Sequence, residues 1–230
     1  MTAKTTFYKL VLLRHGQSLW NKDNLFTGWK DIDLSTLGIQ QAKDAGQILK
    51  KNKLCFDFAF CSVLKRSVNT LFYVLESMDI HNLPTKKSWK LNEKHYGALQ
   101  GMNKDEARKK YGKDKVHMWR RSFDTPPPLL EKDVDFNLQQ YSEIKNPVLG
   151  ESLKDTQKRV LDFWHSDIAI QIKQNKTILI VAHGNSLRAL MQYLEDLSEQ
   201  KLLDLNIPTG EPILYTLDSQ LKFIKSEYLK

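Results

Sequence analysis

Two segments of this chain carry one pattern: Leu10-Val-Leu-Leu-Arg14-His15-Gly16-Gln17-Ser18-Leu19 and Ile178-Leu-Ile-Val-Ala182-His183-Gly184-Asn185-Ser186-Leu187. Each is a short apolar run followed by one residue, then His-Gly, an amide, Ser and Leu. A run that is apolar at every position has no wet face, so it reads as a strand covered on both sides, as in a parallel sheet between helix layers. Residues just past the carboxyl ends of such strands line the ligand crevice. If the two strands are neighbours, His15 and His183 face each other there. The glycine after each histidine permits a tight turn, and Ser18 and Ser186 sit where N-caps would open the next helices.

The rest of the chain extends this alternation. Strand-like runs fall at 8–13, 56–61, 178–182 and 213–217, and helical patterns at 36–50 (opened by Ser35), 67–77, 104–111, 153–173 and 186–194. The expected class is α/β, with a mainly parallel central sheet and helices on both faces. Residues 122–151, with Pro126-Pro127-Pro128, Pro147 and Gly150, lack periodicity and read as a loop-rich insertion. Each flank carries only part of the sheet, so residues 1–230 are expected to form one domain.

Composition narrows the function. Lys and Arg exceed Asp and Glu by 35 to 27, a net charge of +8, and 41% of residues are hydrophobic. The basic residues are mixed with acids, without a dense basic tail or an RNA-binding signature, which argues against nucleic acid and leaves small anionic substrates. The longest apolar runs fall far short of the roughly 18 residues a bilayer span needs. The first residues lack the apolar core of a secretory signal, so a cytoplasmic protein is expected. Cys55 and Cys61 would lie about 20 Å apart on a strand, too far to bond, and read as two reduced thiols. No H-E-x-x-H, calcium-loop or zinc-ligand spacing occurs, and no metal is expected.

Two imidazoles, two helix N-termini and Arg14 together suit a phosphate. A neutral imidazole can accept a phosphoryl group, while a second, protonated one and an arginine neutralise the charge in transfer.

Arg14-His15-Gly16 after the first strand resembles the signature of the histidine phosphatase superfamily. Further segments resemble the cofactor-dependent phosphoglycerate mutases within it. These are Phe26-Thr27-Gly28-Trp29, Ser62-Val63-Leu64-Lys65-Arg66-Ser67, Leu91-Asn92-Glu93-Lys94-His95-Tyr96-Gly97-Ala98-Leu99-Gln100-Gly101, Trp119-Arg120-Arg121-Ser122, Glu151-Ser152-Leu153-Lys154-Asp155-Thr156 and Pro208-Thr209-Gly210. They run from about residue 8 to residue 217.

The resemblance implies an isomerase of glycolysis and gluconeogenesis that interconverts 3-phosphoglycerate and 2-phosphoglycerate without metal. His15 would hold the phosphoryl group, primed by 2,3-bisphosphoglycerate, with His183, Arg14 and Arg66 stabilising charge and Glu93 moving the proton of the substrate hydroxyl. Ser18, Asn21, Thr27, Gly28, Tyr96, Lys104, Arg120, Arg121, Gly184 and Asn185 would bind substrate. Ser18 stands where the related bisphosphoglycerate mutases have glycine, which favours the ordinary mutase. A homodimer is implied by resemblance alone.

Three departures from the family pattern stand out. Gln17 replaces the usual glutamate beside the nucleophile, the chain ends at Lys230 where many relatives carry a longer tail over the pocket, and the 128–151 loop is somewhat short. A more open site would pass phosphate to water, so a phosphatase on the same scaffold is the alternative. A non-catalytic binding scaffold is the reading from another class.

Overall fold

The computed structural model describes residues 7–132 and 139–230. Its centre is β1 (Tyr8–Arg14), in which Leu10, Val11, Leu12 and Leu13 are all fully buried. Side chains alternate across a strand, and here the two sets enter two separate cores. Leu10 and Leu12 join the cluster of Val160, Phe163, Trp164, Leu187 and Leu190, whereas Val11 and Leu13 join that of Ala42, Ala45, Leu49, Leu71 and Val74. An uninterrupted apolar run is what such a doubly covered strand requires.

The remaining elements follow in chain order. They are α1 (Leu19–Lys22), α2 (Thr36–Lys51), β2 (Phe58–Cys61), α3 (Lys65–Ser77), β3 (Thr85–Lys87), α4 (Lys104–Tyr111), α5 (Lys113–Arg121), α6 (Leu153–Phe163), α7 (Ala169–Lys173), β4 (Ile178–Ala182), α8 (Gly184–Glu195), α9 (Glu199–Asp204), β5 (Pro212–Leu217) and β6 (Phe223–Tyr228). A π-helical turn, Trp164–Ile168, joins α6 to α7 in one helical run. The sheet order is β3-β2-β4-β1-β5-β6. The first four strands in that order are mutually parallel, β5 pairs antiparallel with β1, and β6 pairs antiparallel with β5. Helices α2 and α3 cover one face and α6, α7 and α8 the other, so the α/β class with a mainly parallel sheet is observed. No helix among the described residues is long and apolar enough to cross a membrane.

Several boundaries differ from the sequence reading, each for a local reason. The second strand begins at Phe58 rather than 56, leaving Cys55 exposed ahead of it while Cys61 is buried, and both are free thiols. Helix α8 opens at Gly184, not Ser186. His183 is its N-cap, and Ser186 sits in the first turn, where its hydroxyl accepts from the His183 amide at 3.1 Å. Ser18 does cap α1, accepting from the Asn21 amide while Asn21 Oδ1 accepts from its own. Strands β3 and β6 carry mostly exposed, polar residues. Their pairing partners define them, and no apolar pattern announces them.

The 122–151 segment is not a solvated loop throughout. Residues 133–138 lie outside the described part, but Tyr141 is buried, stacks on Trp29 at 5.0 Å and accepts a hydrogen bond from Asn92. Pro128 O accepts from the Ala98 amide, and the Glu151 amide donates to His95 O. The segment is laid against residues 92–98, the loop that carries Glu93.

One buried ion pair fastens that loop. Arg159 of α6 donates from Nε and Nη2 to the two carboxylate oxygens of Glu151, at 2.6 and 2.8 Å. Its remaining donors satisfy the carbonyls of Lys90, Asn92 and Glu93 at 2.8–2.9 Å. Removing one member of such a pair strands the other charge. Arg159→Met is therefore expected to lose about 3–5 kcal/mol in urea unfolding, and the double variant Arg159→Met/Glu151→Leu less than Arg159→Met alone.

Candidate active site

Strands β1 and β4 pair in parallel register, Arg14 opposite Ala182, so the next residue of each leaves the sheet at the same level. The His15 amide donates to Ala182 O at 3.0 Å, and the imidazole rings of His15 and His183 lie 4.9 Å apart between centroids. Gly16 is required by packing as much as by turning: a Cβ there would stand 2.1 Å from Gly38 O, at the opening of α2. Its amide donates to Thr70 Oγ1 of α3 at 3.0 Å.

The histidines differ in what orients them. His15 Nδ1 lies 2.6 Å from Gly16 O, an acceptor only, so Nδ1 carries the proton and Nε2 keeps its lone pair. His183 Nε2 lies 2.7 Å from Ser62 Oγ, at the end of β2. Burial, then the Arg66 and Arg14 charges, push the His15 pKa well below its ordinary value. Burial and then Arg66 do the same to His183. For His183 this runs against the protonated second imidazole of the sequence reading, because burial and the Arg66 and Arg14 guanidinium groups favour the neutral ring.

Arg66, at the start of α3, is almost wholly buried, and its Nη1 and Nη2 donate to Lys30 O and Gly28 O at 2.9 and 2.7 Å. Burial lowers its pKa to about 10, which still leaves it cationic at neutral pH. Gly28 holds φ +54°, with the Gln100 side chain where a Cβ would go. Arg14 donates from Nη1 to Ile207 O at 2.6 Å, and its buried Nε has no protein partner. Thr27 Oγ1 is likewise buried without a partner.

Glu93 is held by one oxygen. Its Oε1 accepts from the amides of Lys94 and Asn185 at 2.8 and 3.0 Å, and Oε2 lies 3.6 Å from where a Cβ of Gly184 would stand. Asn185 donates to the Tyr96 hydroxyl at 3.0 Å, and burial raises the Tyr96 pKa.

Most of these groups line a solvent-open cleft of about 120 Å³. Of the residues expected to form the site, Arg14, His15, Asn21, Thr27, Gly28, Arg66, Glu93, Tyr96, Lys104, Arg120, Arg121, Gly184 and Asn185 line it. Ser18 and His183 do not. Ser18 is fully buried and spends its hydroxyl on the α1 cap, and His183 is fully buried behind His15. Lys104 from α4 and Arg120 and Arg121 from the end of α5 supply the far wall. Burial and then the neighbouring Arg120 lower Lys104 to about 8. Arg188, Asn206, Ile207, Leu25 and Phe26 also line the cleft and were not singled out from sequence. Arg188 read as one position of the helix after His183, and only its spacing of four residues from Gly184, one turn along the same face, could have marked it.

Gln17 points elsewhere. Its Oε1 accepts from Ser35 Oγ at 2.9 Å and its amide donates to Gln41, so it closes the turn between β1 and α2, and the arginines and burial govern His15. The cleft wall thus holds six cationic side chains and one carboxylate. A neutral imidazole with a free Nε2 supplies a nucleophile, and fixed cations stabilise a transferring phosphoryl group.

Both buried histidines couple folding to pH. A ring kept neutral when folded binds no proton below its ordinary value of 6.5, whereas the unfolded ring does, so their contribution is full above that pH and lost below it. Stability is expected to fall by about 1.4 kcal/mol per pH unit for each histidine as pH drops below about 6.5. His15→Gln should have the shallower slope in urea unfolding between pH 7 and 5.

The sequence model of the histidine phosphatase superfamily (branch 1) matches residues 10–226. Among solved structures the chain is similar to YhfR of Bacillus stearothermophilus, with TM-score 0.73 and 23% identity over 94% of each chain. It is also similar to the alpha-ribazole phosphatase of Shigella flexneri, with TM-score 0.68 and 23% identity over 94% of each. A third likeness is to mycobacterial glucosyl-3-phosphoglycerate phosphatase in complex with VO3, with TM-score 0.70 and 22% identity over 96% of this chain and 97% of that one. At these identities the structures establish the fold, and the match over nearly the whole sequence establishes the family. The chain belongs to branch 1 of the histidine phosphatase superfamily, a family of phosphoryl-transfer enzymes.

Proposed function

We propose that this protein is a phosphoglycerate mutase that moves a phosphoryl group between the 3- and 2-hydroxyls of glycerate through His15. The observation that carries the reading is the cationic far wall of the cleft, formed by Lys104, Arg120 and Arg121, in addition to Arg14 and Arg66 beside His15. Hydrolysis of a simple phosphate ester needs one anion pocket. A substrate carrying a carboxylate and one or two phosphates needs cations at both ends.

The residues present fit 2,3-bisphosphoglycerate. Buried Arg14 Nε and Thr27 Oγ1 lack protein partners, and arginines and a lysine line both ends of the cleft. Arg14, Arg66 and Thr27 would hold one phosphate, and Lys104, Arg120 and Arg121 the opposite end. When bound, this compound supplies the phosphoryl group that charges His15.

The chain's own groups carry the transfer. His15 Nε2 directs its lone pair at phosphorus and holds the phosphoryl group between half-reactions, with Nδ1–H anchored on Gly16 O. Arg14 and Arg66 oppose the charge on the equatorial oxygens. As the free hydroxyl of the substrate bonds to phosphorus and the P–N bond breaks, Glu93 takes the hydroxyl proton, and it returns a proton in the reverse direction. His183, fixed by Ser62, keeps the His15 ring in place by packing.

A second reading, a phosphatase in which water takes the phosphoryl group from His15, is favoured by the phosphatases among the solved structures of similar fold. Both readings use His15, Arg14, Arg66 and Glu93. Phosphorus NMR of 3-phosphoglycerate with the protein, a trace of 2,3-bisphosphoglycerate and excess chelator separates them: 2-phosphoglycerate is the expected product, and inorganic phosphate alone would establish the phosphatase. His15→Ala is expected to abolish turnover and acid-labile phosphate on the protein. Glu93→Gln should lower kcat by about 10²–10⁴-fold with KM changed only a few-fold, and unchanged turnover would remove Glu93 from proton transfer.

A further inference from the structure

The far wall of the cleft rests on the carboxyl end of α5, whose last carbonyls have no partner within the helix. Two buried cations supply the missing donors. Lys94, fully buried, donates from Nζ to Trp119 O at 2.6 Å, and Arg188 donates from Nη2 to Arg121 O at 3.1 Å. These carbonyls flank Arg120 and include that of Arg121, the two arginines aimed into the cleft.

Arg188 also reaches the other supports of this wall. It donates from Nη1 to Asn185 Oδ1 at 2.8 Å and from Nη2 to Leu202 O of α9. Asn185 in turn holds the Tyr96 hydroxyl, whose oxygen favours the charged form of the neighbouring Arg120. Lys94 Nζ lies 5.1 Å from the centre of the Tyr96 ring. Burial and like charges nearby lower Lys94 to about 7 and Arg188 to about 10. The Lys94 ammonium nitrogen and both terminal nitrogens of Arg188 donate to protein oxygens, and only the buried Arg188 Nε has no protein partner.

We propose that Lys94 and Arg188 are positioning residues for the second anionic group of the substrate, docking the end of α5 so that Arg120 and Arg121 face the cleft. This rests on the reading of the cleft as a site for phosphorylated acids. It concerns binding, however, and applies whether the phosphoryl group passes to a hydroxyl or to water.

The test uses the full chain carrying His15→Ala, so that no phosphoryl group is transferred, with titration calorimetry of two probes. Inorganic phosphate reads the end beside His15, and 3-phosphoglycerate reads both ends. The expected result is tighter binding of 3-phosphoglycerate than of phosphate, with Lys94→Met or Arg188→Met each shrinking that affinity ratio about tenfold. Arg188→Lys, which keeps the charge but donates from a single nitrogen, should restore part of it. Because the Lys94 backbone amide still holds Glu93 in Lys94→Met, that variant in a chain that retains the native His15 should also raise KM more than it lowers kcat. An unchanged ratio, equal weakening of both probes, or no preference for 3-phosphoglycerate in the parent would overturn the proposal. Failure of the mutase reading would appear separately, as inorganic phosphate in the turnover experiment.

Discussion

Everything at the active site depends on the parallel register of β1 and β4. With Arg14 opposite Ala182, two histidines leave the sheet side by side, and the His15 amide extends the ladder by one more bond to Ala182 O. A slip of one residue would turn the side chains of a whole strand to the opposite face and separate the rings. The register is secured by packing, because alternate residues of each strand fit two different cores and a slip would have to repack both. Packing of the hydrophobic interior therefore fixes the distance between the two histidines.

That geometry puts charge under tension. Six cationic side chains face one carboxylate in the cleft, and burial lowers the pKa of Arg14, Arg66, Lys104 and Arg188. The backbone offsets much of this by aiming carbonyls at the guanidinium groups: Gly28 O and Lys30 O at Arg66, Ile207 O at Arg14, Leu205 O at Arg121. Donors fixed before substrate arrives need not reorganise as charge develops, which is how such a site accelerates transfer. The same repulsion that destabilises the empty cleft is relieved by a polyanion, so binding strength and fold stability are linked there.

The sequence made the catalytic floor legible because its constraints are local. Strand, histidine and glycine are contiguous in each half, and the alternation of elements set the fold class. Glu93 is different: no pattern in the residues around it distinguishes it from a solvated loop glutamate, and only resemblance to a family singled it out. What places it is long-range, since Arg159 sits 66 residues away in sequence and ties the loop through its backbone carbonyls. Arg188 escaped notice for a related reason, as its role depends on carbonyls of α5 and α9 that converge only in the fold. Ser18, read as substrate-binding, is buried outside the cleft lining, with its Oγ accepting from the Asn21 amide as a helix cap.

The question of acceptor, hydroxyl or water, then belongs to the walls and not to the floor. In both proposed readings His15, Arg14 and Arg66 would prepare the phosphoryl group. The acceptor is chosen by whether the far end of the cleft holds an organic anion long enough, and in the right place, to present its hydroxyl before water does. In this chain that wall is a short helical hairpin, α4 and α5, with a small apolar cluster of its own built on Phe26, Tyr96, Leu99, Ala107 and Val116. A wall with a separate core can change its cations without disturbing the sheet that sets the histidines. A single scaffold can in this way keep one nucleophile and vary what that nucleophile serves.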